Sequence, residues 1–171
     1  MNYFACASIA IATAISLAGV AAHAQTPSAP STATSKETRM SQHISGSFDV
    51  KMTPQTSPDK PADAVPGRMS IDKQFHGELE ASSKGEMLAA RSQVKGSAGY
   101  VAIEQVTGKL QGRSGSFVLQ HSGTMNRGAA QLTVSVIPDS GTGQLEGLSG
   151  NMKINIVEGK HFYEFEYSLP N

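Results

Sequence analysis

Lys73 stands between Ile71 and Phe75 on what reads as one face of a β-strand. An ammonium in phase with apolar side chains points inward, where without a partner it loses several kcal/mol of solvation or gives up its proton, so a nearby carboxylate is expected. Glu104 is the leading candidate. It shares a phase with Tyr100, Ala102 and Val106, on a strand whose other face carries Val101 and Ile103. A buried Lys73–Glu104 pair is the sharper expectation, and the plainer one has Lys73 near the end of its strand with its ammonium reaching water. Inside an apolar enclosure, such a pair can anchor the polar end of a ligand or serve acid–base chemistry, which makes Glu104 and Lys73 the catalytic candidates.

Two histidines extend the pattern. His121 follows Phe117 and Leu119 in phase, and His161 opens the alternating run Tyr163, Phe165, Tyr167. With Phe75 and Tyr100 they describe an interior that is aromatic with a few polar groups, as pockets for small apolar or amphipathic molecules commonly are. Lys73, Phe75, Tyr100, Glu104, His121, His161, Tyr163 and Tyr167 are therefore the ligand-binding candidates. The competing reading is a filled core whose polar groups are hydrogen-bonded to one another. No metal or cofactor is expected, because His43, His76, His121 and His161 show no H-x-H or H-x-x-x-H spacing and Cys6 is the only cysteine. No G-x-S-x-G elbow for a nucleophilic serine occurs.

The elements that must position these residues alternate with period two. Ile44 to Met52 forms a first strand, Met69 to Leu79 a second, Glu86 to Ser92 a short third after a turn at Ser82–Gly85, and Ala98 to Leu110 a fourth. Phe117, Leu119 and His121 mark a fifth, Leu132 to Val136 a sixth, Met152 to Ile156 a seventh, and His161 to Leu169 the last. No window after Ala24 carries a helical apolar period. The motif G-x-L-x-G-x-S-G occurs twice, at Gly108–Gly115 and Gly143–Gly150, and reads as two equivalent bends where a sheet curves to close. The fold class expected is all-β, a closed antiparallel up-and-down β-barrel of about eight strands, with a sandwich as the alternative.

The chain has 171 residues, with 14 basic against 14 acidic side chains. That balance, with the basic residues scattered singly, disfavours nucleic acid as a partner. Residues 1–24 are uncharged and Ala/Ile/Leu-rich and end in Ala22-His23-Ala24, the layout of a secretory signal, so an exported, periplasmic or secreted protein is expected. An uncleaved membrane anchor is the alternative, and after cleavage no stable membrane insertion is expected. Residues 25–43 read as a disordered Ser/Thr/Pro-rich tether, and 44–171 as one barrel domain with a Pro-rich loop at 53–67.

The ordered run Gly67–Ala81, with Lys84-Gly85, Gly96–Glu104, Gln120-His121-Ser-Gly123 and Pro138–Gly143, resembles a bacterial domain family of unknown function. Its members are similar in fold to allene oxide cyclase, a calycin-like barrel. The resemblance spans about Ile44 to Pro170 and implies the barrel but no activity. Three functional readings follow. The first is a barrel that binds a small apolar or amphipathic molecule. The second is a cofactor-free isomerase or cyclase of the allene oxide cyclase type, with Glu104 balanced by Lys73. The third is a structural or interaction module with a filled barrel, in which Val101 and Ile103 pack against a second subunit.

Overall fold

The computed structural model of the chain describes residues 41–55 and 66–170. The expected signal, most of the expected tether and the middle of the Pro-rich loop lie outside the described residues. Eight strands follow in chain order: β1 Ser41–Gln55, β2 Gly67–Gly77, β3 Leu79–Arg91, β4 Ala98–Leu110, β5 Arg113–Asn126, β6 Ala129–Val136, β7 Ser149–Val157 and β8 Lys160–Ser168. Each pairs antiparallel with its neighbour and β8 pairs back onto β1, so the sheet is a closed up-and-down barrel. Alternation along each strand sends one set of side chains inward and the other to solvent.

Three boundaries differ from the sequence reading. β1 begins at Ser41, because Ser41 and His43 pair with Ser168 and Glu166 of β8; main-chain bonding extends the strand where no apolar period announces it. At its other end β1 runs on through Pro54, opposite Met69, a strand-terminal place where a missing N–H is tolerated. Third, no turn exists at Ser82–Gly85. The chain reverses at Gly77 and Glu78, where Gly77 takes φ of +103°, a conformation side chains disfavour. β3 therefore runs unbroken from Leu79, which turns Ser83 inward.

One barrel end is closed. Tyr163, seated between the two ends of the β2–β3 turn, accepts a hydrogen bond from the Leu79 amide at 3.0 Å and donates to the His76 carbonyl at 3.2 Å. Leu79, Leu110, Leu145, Leu148, Tyr167 and Leu169 fill the space there and merge with Phe75, Phe117, Leu119 and Phe165 into the main core. Leu145 and Leu148 come from the β6–β7 connection, whose 3₁₀ turn Gly143–Leu145 lies against β5.

The twin motifs are consequently not equivalent bends. The first copy is the β4–β5 turn, with Gln111 and Gly112 both at positive φ, the requirement of a tight hairpin. The second copy is the 3₁₀ turn and the start of β7. The two meet, since the Ser114 amide donates to Oε1 of Gln144 at 2.9 Å. Identical spacing served two backbone tasks because small residues suit both.

Toward the other end the wall opens. β6 and β7 share one bridging pair, Ser135 with Asn151. Above it the inward-phase residues Leu132 and Ile156 are exposed, as are Met52 on β1 and Met125 on β5. Ile71, Met87 and Ala102, with Met69, Ala89 and Tyr100 packed on them, form a smaller apolar cluster between this mouth and the barrel centre.

Candidate functional site

Four polar side chains meet at mid-barrel from four consecutive strands: Lys73 of β2, Ser83 of β3, Glu104 of β4 and His121 of β5. Register explains the meeting, since Lys73 lies opposite Ser83, Gly85 opposite Glu104, and Ala102 opposite His121. Gly85 is required by closeness: a Cβ there would stand 2.9 Å from the Glu104 Cα. All four are buried among the apolar residues of the two clusters.

The expected ion pair is present. Lys73 Nζ donates to Glu104 Oε2 at 2.6 Å, and the Ser83 hydroxyl donates to Oε1, so both carboxylate oxygens are engaged. The ammonium also lies 4.9 Å from the Phe48 ring centroid and 5.7 Å from that of Phe75, within reach of both ring faces' negative charge. Lys73 is thus held inside, its side chain only 6% exposed. Burial by itself pushes the Glu104 carboxyl up; against it act the approach of His121, the charge and hydrogen bond of Lys73, and the Ser83 hydroxyl. The balance leaves it lowered to about 2.

His121 completes the cluster differently. Its Nε2 stands 3.0 Å from Glu104 Oε2, but the ring is not aligned for a hydrogen bond, and Nε2 has no hydrogen-bond partner although the residue is only 3% exposed. Distance and alignment disagree, and the alignment decides: a buried ring nitrogen is left with capacity to spare.

The remaining sequence candidates separate into layers. Phe75 flanks the ammonium and continues an aromatic row: His161 to Phe48 at 5.1 Å, Phe48 to Phe75 at 5.4 Å, and Phe75 edge-on to Tyr163 at 5.7 Å between centroids. Tyr163 belongs to the closed end through its turn contacts. Tyr167 lies further out there, its hydroxyl 2.7 Å from the amide oxygens of both Gln42 and Gln111, of which its single O–H can serve one at a time. Tyr100 sits on the mouth side, half-buried, and its phenol is raised above its usual value by burial and by the Glu104 charge. Lys73, Glu104 and His121 are therefore brought together; Phe75 flanks the ammonium, Tyr100 lies on the mouth side, His161 reaches the cluster only through Phe48, and Tyr163 and Tyr167 are spaced away.

Sequence reasoning missed Ser83 and Phe48 as members of this site. Ser83 was recoverable: with the turn at Gly77, the series Leu79, Ala81, Ser83, Met87 alternates in one phase. Phe48 was on the expected inward face of β1, but nothing local says that its ring meets an ammonium. Among the described residues no three His, Cys, Asp or Glu side chains come close enough to hold a metal ion.

A crystal structure of a protein of unknown function from the DUF3224 family of Shewanella oneidensis MR-1 is similar, with 54% sequence identity over 77% of this chain and 99% of that one, and a TM-score of 0.71. No curated protein matches. The family model described as "Protein of unknown function (DUF3224)" matches residues 44–167, the whole barrel from β1 into β8, and the chain belongs to that family.

Proposed function

We propose that the barrel holds a small amphipathic molecule, its polar end against Lys73, Glu104 and His121 and its apolar body toward the mouth among Ile71, Met87, Ala102 and Tyr100. The observation that carries this reading is the unpartnered Nε2 of His121, because a buried polar atom without a partner costs about 1–3 kcal/mol and a ligand hydroxyl or carbonyl would satisfy it. The exposed, mostly apolar mouth gives a route, and one closed end gives a floor. Native mass spectrometry of gently purified protein tests it: a non-covalent organic adduct supports binding, and a bare chain in every preparation counts against it.

The second reading is a cofactor-free isomerase or cyclase of the allene oxide cyclase type, favoured by a fully buried carboxylate inside an aromatic barrel. A carboxyl held near 2 is a weak base, so in this reading Glu104 would stabilise positive charge developing on a substrate rather than take its proton. Glu104→Gln would then lower turnover strongly with little change in binding.

In both readings the protein acts outside the cytoplasm, on the evidence of the signal-like residues 1–24. The intact mass of protein recovered from the periplasm or medium tests this: loss of the segment ending at Ala24 supports it, and full-length chain in the cytoplasm contradicts it.

A further inference from the structure

We infer that the lip of the barrel mouth built by the β3–β4 connection and the β5–β6 turn docks on an anionic lipid surface. From Met87 to Pro138 the chain holds one acidic residue, Glu104, and it is buried at mid-barrel. Over the same stretch Arg91, Lys95, Lys109, Arg113 and Arg127 are all exposed. The neutral total of the chain therefore conceals a wall, β4 to β6, whose only charged surface groups are cations. Lys109 and Arg113 flank the β4–β5 hairpin at the closed end. Arg91, Lys95 and Arg127, placed singly in the sequence, gather at the mouth. Backbone bonding gathers them. The Ser97 amide donates to the Val94 carbonyl at 3.0 Å and the Ser92 amide to the Ser97 carbonyl at 3.1 Å, which fixes the connection 92–97. That connection is tied to the β5–β6 turn, where the Gly128 amide donates to the Gly96 carbonyl at 2.9 Å and the Arg127 amide to the Ser97 hydroxyl at 3.1 Å. Arg127 thus stands beside Gly96, with Lys95 next along the chain, and Arg91 lies opposite Ala98, which in turn lies opposite Met125.

Charge and apolar surface together select the occupant. Among the described residues none of these three cations forms an ion pair, whereas Arg68 is held by Glu86 and Lys84 by Asp72. Three uncompensated cations on one lip call for an anionic partner. Between them Val94 and Met125 are 45% and 42% exposed, and with Arg91 and Lys95 they line a depression of about 440 Å³. Cations alone would suit a free phosphate or any polyanion. Cations interleaved with exposed apolar groups suit a bilayer interface, where the apolar groups enter the acyl boundary and the guanidinium and ammonium groups stay among the phosphates. Nucleic acid fits less well, because residues 91–98 and 125–130 hold no aromatic side chain on which a base could stack. The mouth opens at this same lip, so docking turns the open end toward the lipid; the inference stands independently of what the interior holds.

An environment-sensitive fluorophore on Val94→Cys, in the full chain with Cys6→Ser, tests this by reporting the lip itself, whatever residues 1–24 do at a bilayer. Titrated with phosphatidylcholine vesicles containing about 30% phosphatidylglycerol, the label is expected to shift to the blue, and to do so at least tenfold more weakly with phosphatidylcholine alone. The same label on Lys109→Cys at the closed end should stay in water. Neutralising the lip by Arg91→Gln, Lys95→Gln and Arg127→Asn should weaken the response at least tenfold, since each basic group near a charged membrane contributes about fivefold. Asn suits the positive φ of 49° at position 127. Lys109→Gln with Arg113→Gln should leave the response unchanged. Salt raised from about 0.1 M to about 0.5 M gives a check that needs no variant, because screening should release the lip. No shift with the anionic vesicles, an equal shift with neutral ones, indifference to salt or to the triple variant, or a full response to inorganic phosphate alone overturns the inference.

Discussion

Glu104 concentrates the energetics of the barrel in one carboxylate. Its ordinary value of 4.5 is lowered to about 2 in the fold, so folding is favoured by its ionisation above the ordinary value, and that contribution is lost as pH falls from about 4.5 to 2. Acid unfolding followed by circular dichroism should show this loss, and Glu104→Gln should remove it. Removing only one partner is the harsher change: Lys73→Met leaves a buried charge uncompensated and is expected to cost about 3–5 kcal/mol, whereas Lys73→Met with Glu104→Leu recovers most of it. Ser83→Ala, which frees one carboxylate oxygen, should cost about 1–3 kcal/mol by denaturant titration. The site was legible in part. Lys73, Glu104 and His121 announced themselves because a polar residue in an apolar phase has few explanations, but which hydrogen bonds they make depends on the register of four strands, and register is a property of pairs.

At the scale of the element, β3 and the β6–β7 seam make separate predictions. Gly85 lets β3 pass close to Glu104, so Gly85→Ala should displace the carboxylate and destabilise the fold by about 1–3 kcal/mol, the range for forcing extra volume into a packed site. The seam, closed by Ser135 and Asn151, leaves the upper halves of β6 and β7 unpaired with each other, each bonded on one side alone, to β5 and to β8. Amide hydrogen exchange should therefore be faster at Gln131 and Thr133 than in β4, which is paired along its whole length. Eight strands and the closed sheet were legible from alternation and from resemblance. The third strand was misread because Ser82-Ser83-Lys84-Gly85 has the composition of a turn, while Gly77, the residue whose φ demands one, sits in a strand-like context. The floor of the barrel was equally hidden, since Leu145 and Leu148 show no period and earn their place only when the β6–β7 connection folds across β5.

For the molecule as a whole, one end is sealed by leucines and tyrosines, the centre holds a charged cluster, and the other end is open and lined by methionine, leucine and tyrosine. That polarity along the barrel axis is what makes binding of an amphipathic molecule the reading of choice, with the lip of the open end left for a lipid surface. The most direct test is native mass spectrometry of the wild type beside the Lys73→Met, Glu104→Leu double variant, which keeps the interior filled and folded while removing the polar anchor. The wild type is predicted to carry a non-covalent organic mass that the double variant lacks. A wild type at its bare polypeptide mass under the gentlest conditions, or a double variant that retains the same adduct, would contradict the account.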